Sequence, residues 1–195
     1  RWASRDPARR GPYRLIGSAH SAVSSAVASE LSTPPGNGHT ESPILDALGV
    51  DVEEYYHALI FQESTRQVAR GRFPSRVQAS VERILTLLET AGAHGTFFTL
   101  GEVAAEQPKL VRAIAEAGHE IACHGYRHVP VSDQPADVFR ADVHRAKHLL
   151  EQVSGTPVIG YRAPNFSIGP KQAWAYDILL ETGFRYDSSI YPIRH

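Results

Sequence analysis

The chain has 195 residues, 42% of them apolar and 21% charged, the make-up of a globular domain rather than of a disordered chain. A net charge of -1 gives no overall field that attracts nucleic acid or anionic lipid, and one cysteine, Cys123, excludes a disulfide-stapled module. No apolar run approaches the roughly 18 residues of a membrane span, while ten histidines ask whether some of them hold a metal.

Residues 1–40 read as a disordered tail. Five arginines face only Asp6 and Glu30, Ser, Ala, Gly and Pro dominate, and the stretch closes on Pro34-Pro35-Gly36-Asn37-Gly38. It offers too little apolar surface to offset its conformational entropy, beyond a short Ala/Ser helix near 20–31. No dense apolar core follows the arginines as in a secretory leader, so a cytoplasmic location is expected. The start at Arg1 and the lack of any methionine read as an incomplete frame.

The structured domain is expected over 41–195. Residues 44–50 predict a buried strand ending at Asp51. Pro74 and Ser75 open a helix with Val77, Val81, Ile84, Leu85 and Leu88 on one face and Gly92 past its end. Residues 96–100 form a second strand, 108–117 a helix, and 120–123 a third strand. A long helix over 137–153 turns Phe139, Val143, Ala146, Leu150 and Val153 inward and stops at Gly155. Strand 158–161, helix 172–181 and strand 184–186 complete the pattern. Strands alternating with amphipathic helices indicate a parallel sheet or barrel with helices outside. An eight-unit barrel needs about 250 residues, so the expectation is an open doubly wound sheet or a barrel-like domain that stops early.

In either case ligands gather at the carboxyl ends of the strands, and the chemically capable residues fall there. Asp51 and Glu53 follow the first strand, and two residues of extended chain put both carboxylates on one side. His124 and His128 follow the third strand, spaced to share one face of a helical turn as a divalent ion requires. The same spacing at His144 and His148 lies opposite the apolar stripe of the long helix, so that pair is read as surface. Arg162 follows the fourth strand and could hold a carboxylate ionised. Asp187 follows the fifth, where it could equally cap a turn. Cys123 and the pair Phe97-Phe98 are read as core.

In this order the pieces resemble the polysaccharide deacetylases, carbohydrate esterase family 4, from about Ile44 to His195. The carrying motifs are Asp51-Val52-Glu53-Glu54, His124-Gly125-Tyr126-Arg127-His128, Arg162-Ala163-Pro164 and Tyr186-Asp187-Ser188-Ser189. With Tyr55 and Tyr56, the first motif is similar to the subgroup associated with exosortase and exopolysaccharide clusters. The resemblance implies a deformed β/α barrel, C-terminally incomplete here, and metal-dependent removal of acetyl groups from N-acetylated polysaccharide. Glu53, His124 and His128 would hold a divalent ion, zinc for a site of two imidazoles and a carboxylate. Asp51, Arg162 and Asp187 would be catalytic, with Asp51 the base and Arg162 its orienter. Tyr126, Pro164 and Asn165 would line the substrate, a backbone N–H near Tyr126 to His128 or Asn165 helping at the oxyanion. The spacing of the first acids also leaves a mirrored assignment open, with Asp51 as ligand and Glu53 or Glu54 as base. The family's late histidine acid has no assigned counterpart. An allantoinase-like cyclic amide hydrolase and a non-catalytic carbohydrate-binding fragment are the competing readings.

Overall fold

The computed structural model describes residues 14–15, 47–58 and 73–190. Among the described residues six strands form one sheet: β1 (Arg14–Leu15), β2 (Gly49–Val52), β3 (Thr96–Thr99), β4 (Glu120–Cys123), β5 (Gly160–Tyr161) and β6 (Tyr186–Asp187). Their order is β1-β6-β5-β4-β3-β2. Every pairing from β2 to β6 is parallel, and β1 alone runs antiparallel, Arg14 opposite Asp187. The connecting helices are α1 (Val77–Ala91), α2 (Gly101–Glu106), α3 (Pro108–Glu116), α4 (Ala136–Ser154) and α5 (Trp174–Glu181). This is the α/β arrangement with a parallel sheet that the alternating pattern predicts. The expected helix near 20–31 and the start of the strand over 44–50 lie outside the described residues.

The apolar stripes behave as read. Val77, Val81 and Leu88 of α1 are buried, as are Phe139, Val143, Ala146 and Leu150 of α4. Phe139 sits edge-on to Tyr161 at 5.9 Å and to Trp174 at 5.6 Å, so α4 and α5 close over β5 through one aromatic contact set.

Strand ends depart from the reading for identifiable reasons. β2 runs through Asp51 to Val52 because Asp51 occupies an outward position of a paired strand, opposite Phe98. β5 starts two residues late because the backbone of Val158 is already engaged. Its N–H donates to Glu151 Oε1 at 3.1 Å, and its carbonyl accepts from Lys147, both on α4. β6 likewise starts after Phe184, whose N–H closes the end of α5 on the Leu179 carbonyl at 3.0 Å. Helix α2 escaped the sequence reading. It has six residues, and tertiary bonds hold its start: Gly101 N–H donates to the Gly125 carbonyl and Glu102 N–H to that of Tyr126, each at 3.0 Å. A Cβ on Gly101 would lie 2.4 Å from the Tyr126 ring, so only glycine lets this helix approach the β4 loop.

Candidate metal and catalytic site

The carboxyl ends of the parallel strands are tied together one residue beyond the ladders. His124 N–H donates to Thr99 O at 3.1 Å, Arg162 N–H to Cys123 O at 2.9 Å, and Ser188 N–H to Tyr161 O at 2.8 Å. Together with the Leu100 N–H donating to Val52 O at 3.4 Å, these bonds bring the residues after β2, β4, β5 and β6 onto one rim.

On that rim Glu53, His124 and His128 each offer one ligand atom, all within 4.8 Å of one another. Glu53 Oε2 lies 2.9 Å from His128 Nε2. Ligands about 2.0–2.1 Å from a tetrahedral ion stand roughly 3.3 Å apart, so the donors are spaced for a common ion. His124 turns its other nitrogen, Nδ1, onto the Arg162 carbonyl at 2.8 Å, which leaves Nε2 free for the cluster. The two histidines do not share a helical turn, as their spacing had suggested. Residues 124–130 form an irregular loop in which Gly125 and His128 have φ of 80° and 59°. The imidazoles converge because α2 grips the loop by main-chain bonds and Asp142 of α4 accepts the Tyr126 N–H at 2.9 Å.

Beside the cluster stands an ion pair. Arg162 Nη1 donates to Asp51 Oδ1 at 2.6 Å, Nη2 to Ser188 Oγ at 2.9 Å. The guanidinium lies 3.9 Å above the Phe98 ring, and a Cβ on Gly49 would come within 2.7 Å of Nη2. Phe98, expected as plain core, is thus the floor on which Arg162 rests.

The remaining expected residues are placed as follows. Glu54 faces away from the ligands, its carboxylate accepting from the Arg76 N–H at 3.0 Å and from the Ser75 hydroxyl. Asp187 is fully buried; its oxygens accept from the Ser189 hydroxyl at 2.5 Å and the Ser189 N–H at 3.0 Å, and Ser189 Oγ accepts the Ala163 N–H at 2.8 Å. In this geometry Asp187 braces the turn beneath Arg162 through Ser189. Tyr126, expected at the substrate, is buried against α2; Arg145 binds its hydroxyl at 2.7 Å, and its N–H is taken by Asp142. Pro164 is buried, and Asn165 is half-buried in the left-handed region at φ 56°, its Nδ2 without a hydrogen-bond partner among the described residues. Cys123 is enclosed, and burial pushes its thiol up to about 12, so it packs rather than reacts. His144 and His148 are exposed on α4, as read.

Sequence reasoning passed over His57, which is buried within the site. Its Nδ1 accepts the Glu54 N–H at 3.1 Å, and its ring stacks on His128 at 5.8 Å and 18°. The Glu54-x-x-His57 spacing at the start of a single helical turn was the available signal.

The electrostatics suit a cation. Burial lowers the pKa of His124, a stronger influence than the carboxylates of Asp51 and Glu53, which act the other way. For Glu53 burial pulls upward, but the His128 hydrogen bond and the charges of three imidazoles outweigh it and hold the carboxyl below its usual value. Both shifts are downward, so the unfolded chain binds more protons than the folded one below the usual pH 6.5 of histidine, and again below the usual 4.5 of glutamate. The stability that these two groups contribute to the metal-free protein is therefore fully present above those values and lost as pH falls through the folded ones, at up to about 1.4 kcal/mol per pH unit per proton. Urea unfolding from about pH 7.5 to about 5 should show this loss, and His124→Asn should flatten its upper part. A flat wild-type profile would contradict the assignment.

The chain matches the family model described as Polysaccharide deacetylase over residues 61–186. The peptidoglycan deacetylase of Helicobacter pylori is 28% identical over 154 residues, covering 75% of this chain and 50% of that protein. The peptidoglycan-N-acetylglucosamine deacetylase of Bacillus cereus is 33% identical over 104 residues, covering 53% and 38%. Among solved structures, a Mycobacterium smegmatis protein provisionally named a polysaccharide deacetylase superposes with a TM-score of 0.60 at 32% identity, covering 71% of this chain and 48% of that one. A CE4 family pseudoenzyme from Bacillus anthracis shares the fold at a TM-score of 0.55 and 17% identity, covering 71% and 41%. The fold therefore accommodates inactive chains, and the argument for activity lies with individual residues. This chain spans about half or less of the length of the curated relatives it matches.

Proposed function

Because the chain belongs to the polysaccharide deacetylase family, we propose that it hydrolyses the N-acetyl amide of hexosamine residues in a bacterial polysaccharide or its precursor. The observation that carries this reading is the donor cluster of Glu53, His124 and His128 with the Asp51–Arg162 pair on the same rim. The donor set fits a divalent ion. Its atoms are close enough to share one, and two of them, Glu53 Oε2 and His128 Nε2, already face each other at 2.9 Å. Two imidazoles and one carboxylate favour zinc and leave positions open for reactants. When bound, the ion supplies Lewis acidity, polarising the acetyl carbonyl and acidifying water.

The chain's own residues do the rest. Asp51, held by Arg162, accepts the proton of the attacking water as its oxygen bonds to the acetyl carbon. As the C–N bond breaks, the proton held by Asp51 passes to the departing nitrogen, which releases acetate and leaves the amine on the sugar. Arg162 aims Asp51 through the 2.6 Å contact of Nη1 with Oδ1, and Asp187 acts through Ser189 to brace the turn below it. Of the two substrate-side candidates after Arg162, Asn165 has a buried amide nitrogen to offer, and Pro164 shapes the wall. The run Asp51 to Tyr56 favours an exopolysaccharide substrate of the exosortase-associated type over other N-acetylated glycans.

Acetate release by the zinc-loaded full chain from N-acetylglucosamine oligomers and from peptidoglycan fragments tests this, with ring opening of allantoin measured in parallel. The proposal expects acetate from the sugars and an intact ureide. Allantoin opening without acetate, or zinc binding without turnover of any sugar, would overturn it.

A further inference from the structure

We propose that His57 and Glu102 are positioning residues that hold the Glu53–His128 half of the site in its ligating geometry. This inference rests on the metal-dependent reading above. The two candidate imidazole ligands are oriented by different means. His124 has its Nδ1 fixed by the Arg162 carbonyl at 2.8 Å. His128 Nδ1 is buried and has no hydrogen-bond partner among the described residues. What lies against the His128 ring is a second flat ring, that of His57, 5.8 Å away and tilted by only 18°. A ring packed flat against a ligand restricts its rotation, and partners that fix a ligand's orientation typically matter about 10–100-fold for metal affinity.

His57 is itself held on three sides. Its Nδ1 accepts the Glu54 N–H at 3.1 Å, so the proton of the neutral ring is on Nε2. That nitrogen faces Glu102 Oε2 at 3.6 Å, an electrostatic contact rather than a hydrogen bond. Tyr56 meets its ring edge-on at 5.1 Å. Glu102 reaches the same loop by a second route, because its backbone N–H donates to the Tyr126 carbonyl at 3.0 Å. One residue of α2 thus ties the segment after β2, which carries Glu53, to the loop after β4, which carries His128. A histidine that merely filled space here would need no carboxylate behind it, and metal affinity would be indifferent to the charge of Glu102.

The experiment measures zinc affinity of the full chain by competition with a chromophoric chelator, and the absorption of the cobalt(II)-substituted protein. Glu102→Gln keeps size and removes the charge. His57→Gln keeps an acceptor for the Glu54 N–H and removes the ring, and it serves if the first variant does not fold. Each is expected to raise the zinc Kd about tenfold or more and to shift the cobalt bands. Wild-type affinity within twofold and an unchanged cobalt spectrum in the folded variants would overturn the inference. If Glu53→Ala abolishes zinc binding while these variants bind normally, the inference alone fails. If the wild-type chain binds no zinc, the proposed function fails and takes this inference with it.

Discussion

Replacing Asp51 by Asn is expected to lower acetate release by at least about 10^2–10^4-fold while leaving zinc affinity within a few-fold of wild type. The amide keeps the shape of the carboxylate and cannot take a proton from water. It also leaves Arg162, anchored to Ser188 and lying over Phe98, without its carboxylate partner, so orientation and basicity are lost together. Zinc affinity separates the two assignments of the first acidic motif. If Asp51 were the ligand and Glu53 the base, Asp51→Asn would release the metal and Glu53→Gln would not. The contact of Glu53 with His128 at 2.9 Å, and that of Asp51 with Arg162 at 2.6 Å, favour Asp51 as base. Turnover within tenfold of wild type in Asp51→Asn would remove that residue from the chemistry.

The second large effect is expected at the ligands. Apparent zinc binding in small protein sites is worth roughly 10–16 kcal/mol over about four ligands, so losing one protein ligand should weaken binding by about 10^2-fold or more. Glu53→Ala and His128→Ala should each do so, measured by chelator competition, and His144→Ala on the exposed face of α4 should not. This comparison is informative because His144 and His148 have the same spacing as His124 and His128. Equal loss from both pairs would point to non-specific imidazole binding and against a built site.

Much of this architecture was legible because it is local. The apolar stripe of α4 and the strand 120–123 are periodic patterns that need no partner to be recognised. The candidate donors were legible for a different reason: acids and histidines fell directly after strands, where a parallel sheet gathers them. What the sequence did not disclose is what tertiary contact decides. His124 and His128 converge across an irregular loop gripped by α2, a helix too short to show a period. Tyr126 looked like a substrate contact from its place in the motif, yet Gly101 lets α2 pack on its ring and Arg145 binds its hydroxyl. Asp187 looked catalytic, yet its carboxylate is engaged by Ser189. His57 stood one turn past the acids with no marker except its spacing from Glu54, and only the folded chain brings it against His128.

The central claim, a divalent ion bound by residues from two strand ends beside a held base, is tested most directly by crystals of the zinc-loaded protein measured at the zinc absorption edge. One anomalous peak is expected about 2.0–2.2 Å from a carboxylate oxygen of Glu53, from His124 Nε2 and from a nitrogen of His128, with Asp51 near it but bonded to Arg162. A zinc-loaded crystal with no peak among these three residues, or with its peak on Asp51 and away from Glu53, would contradict it.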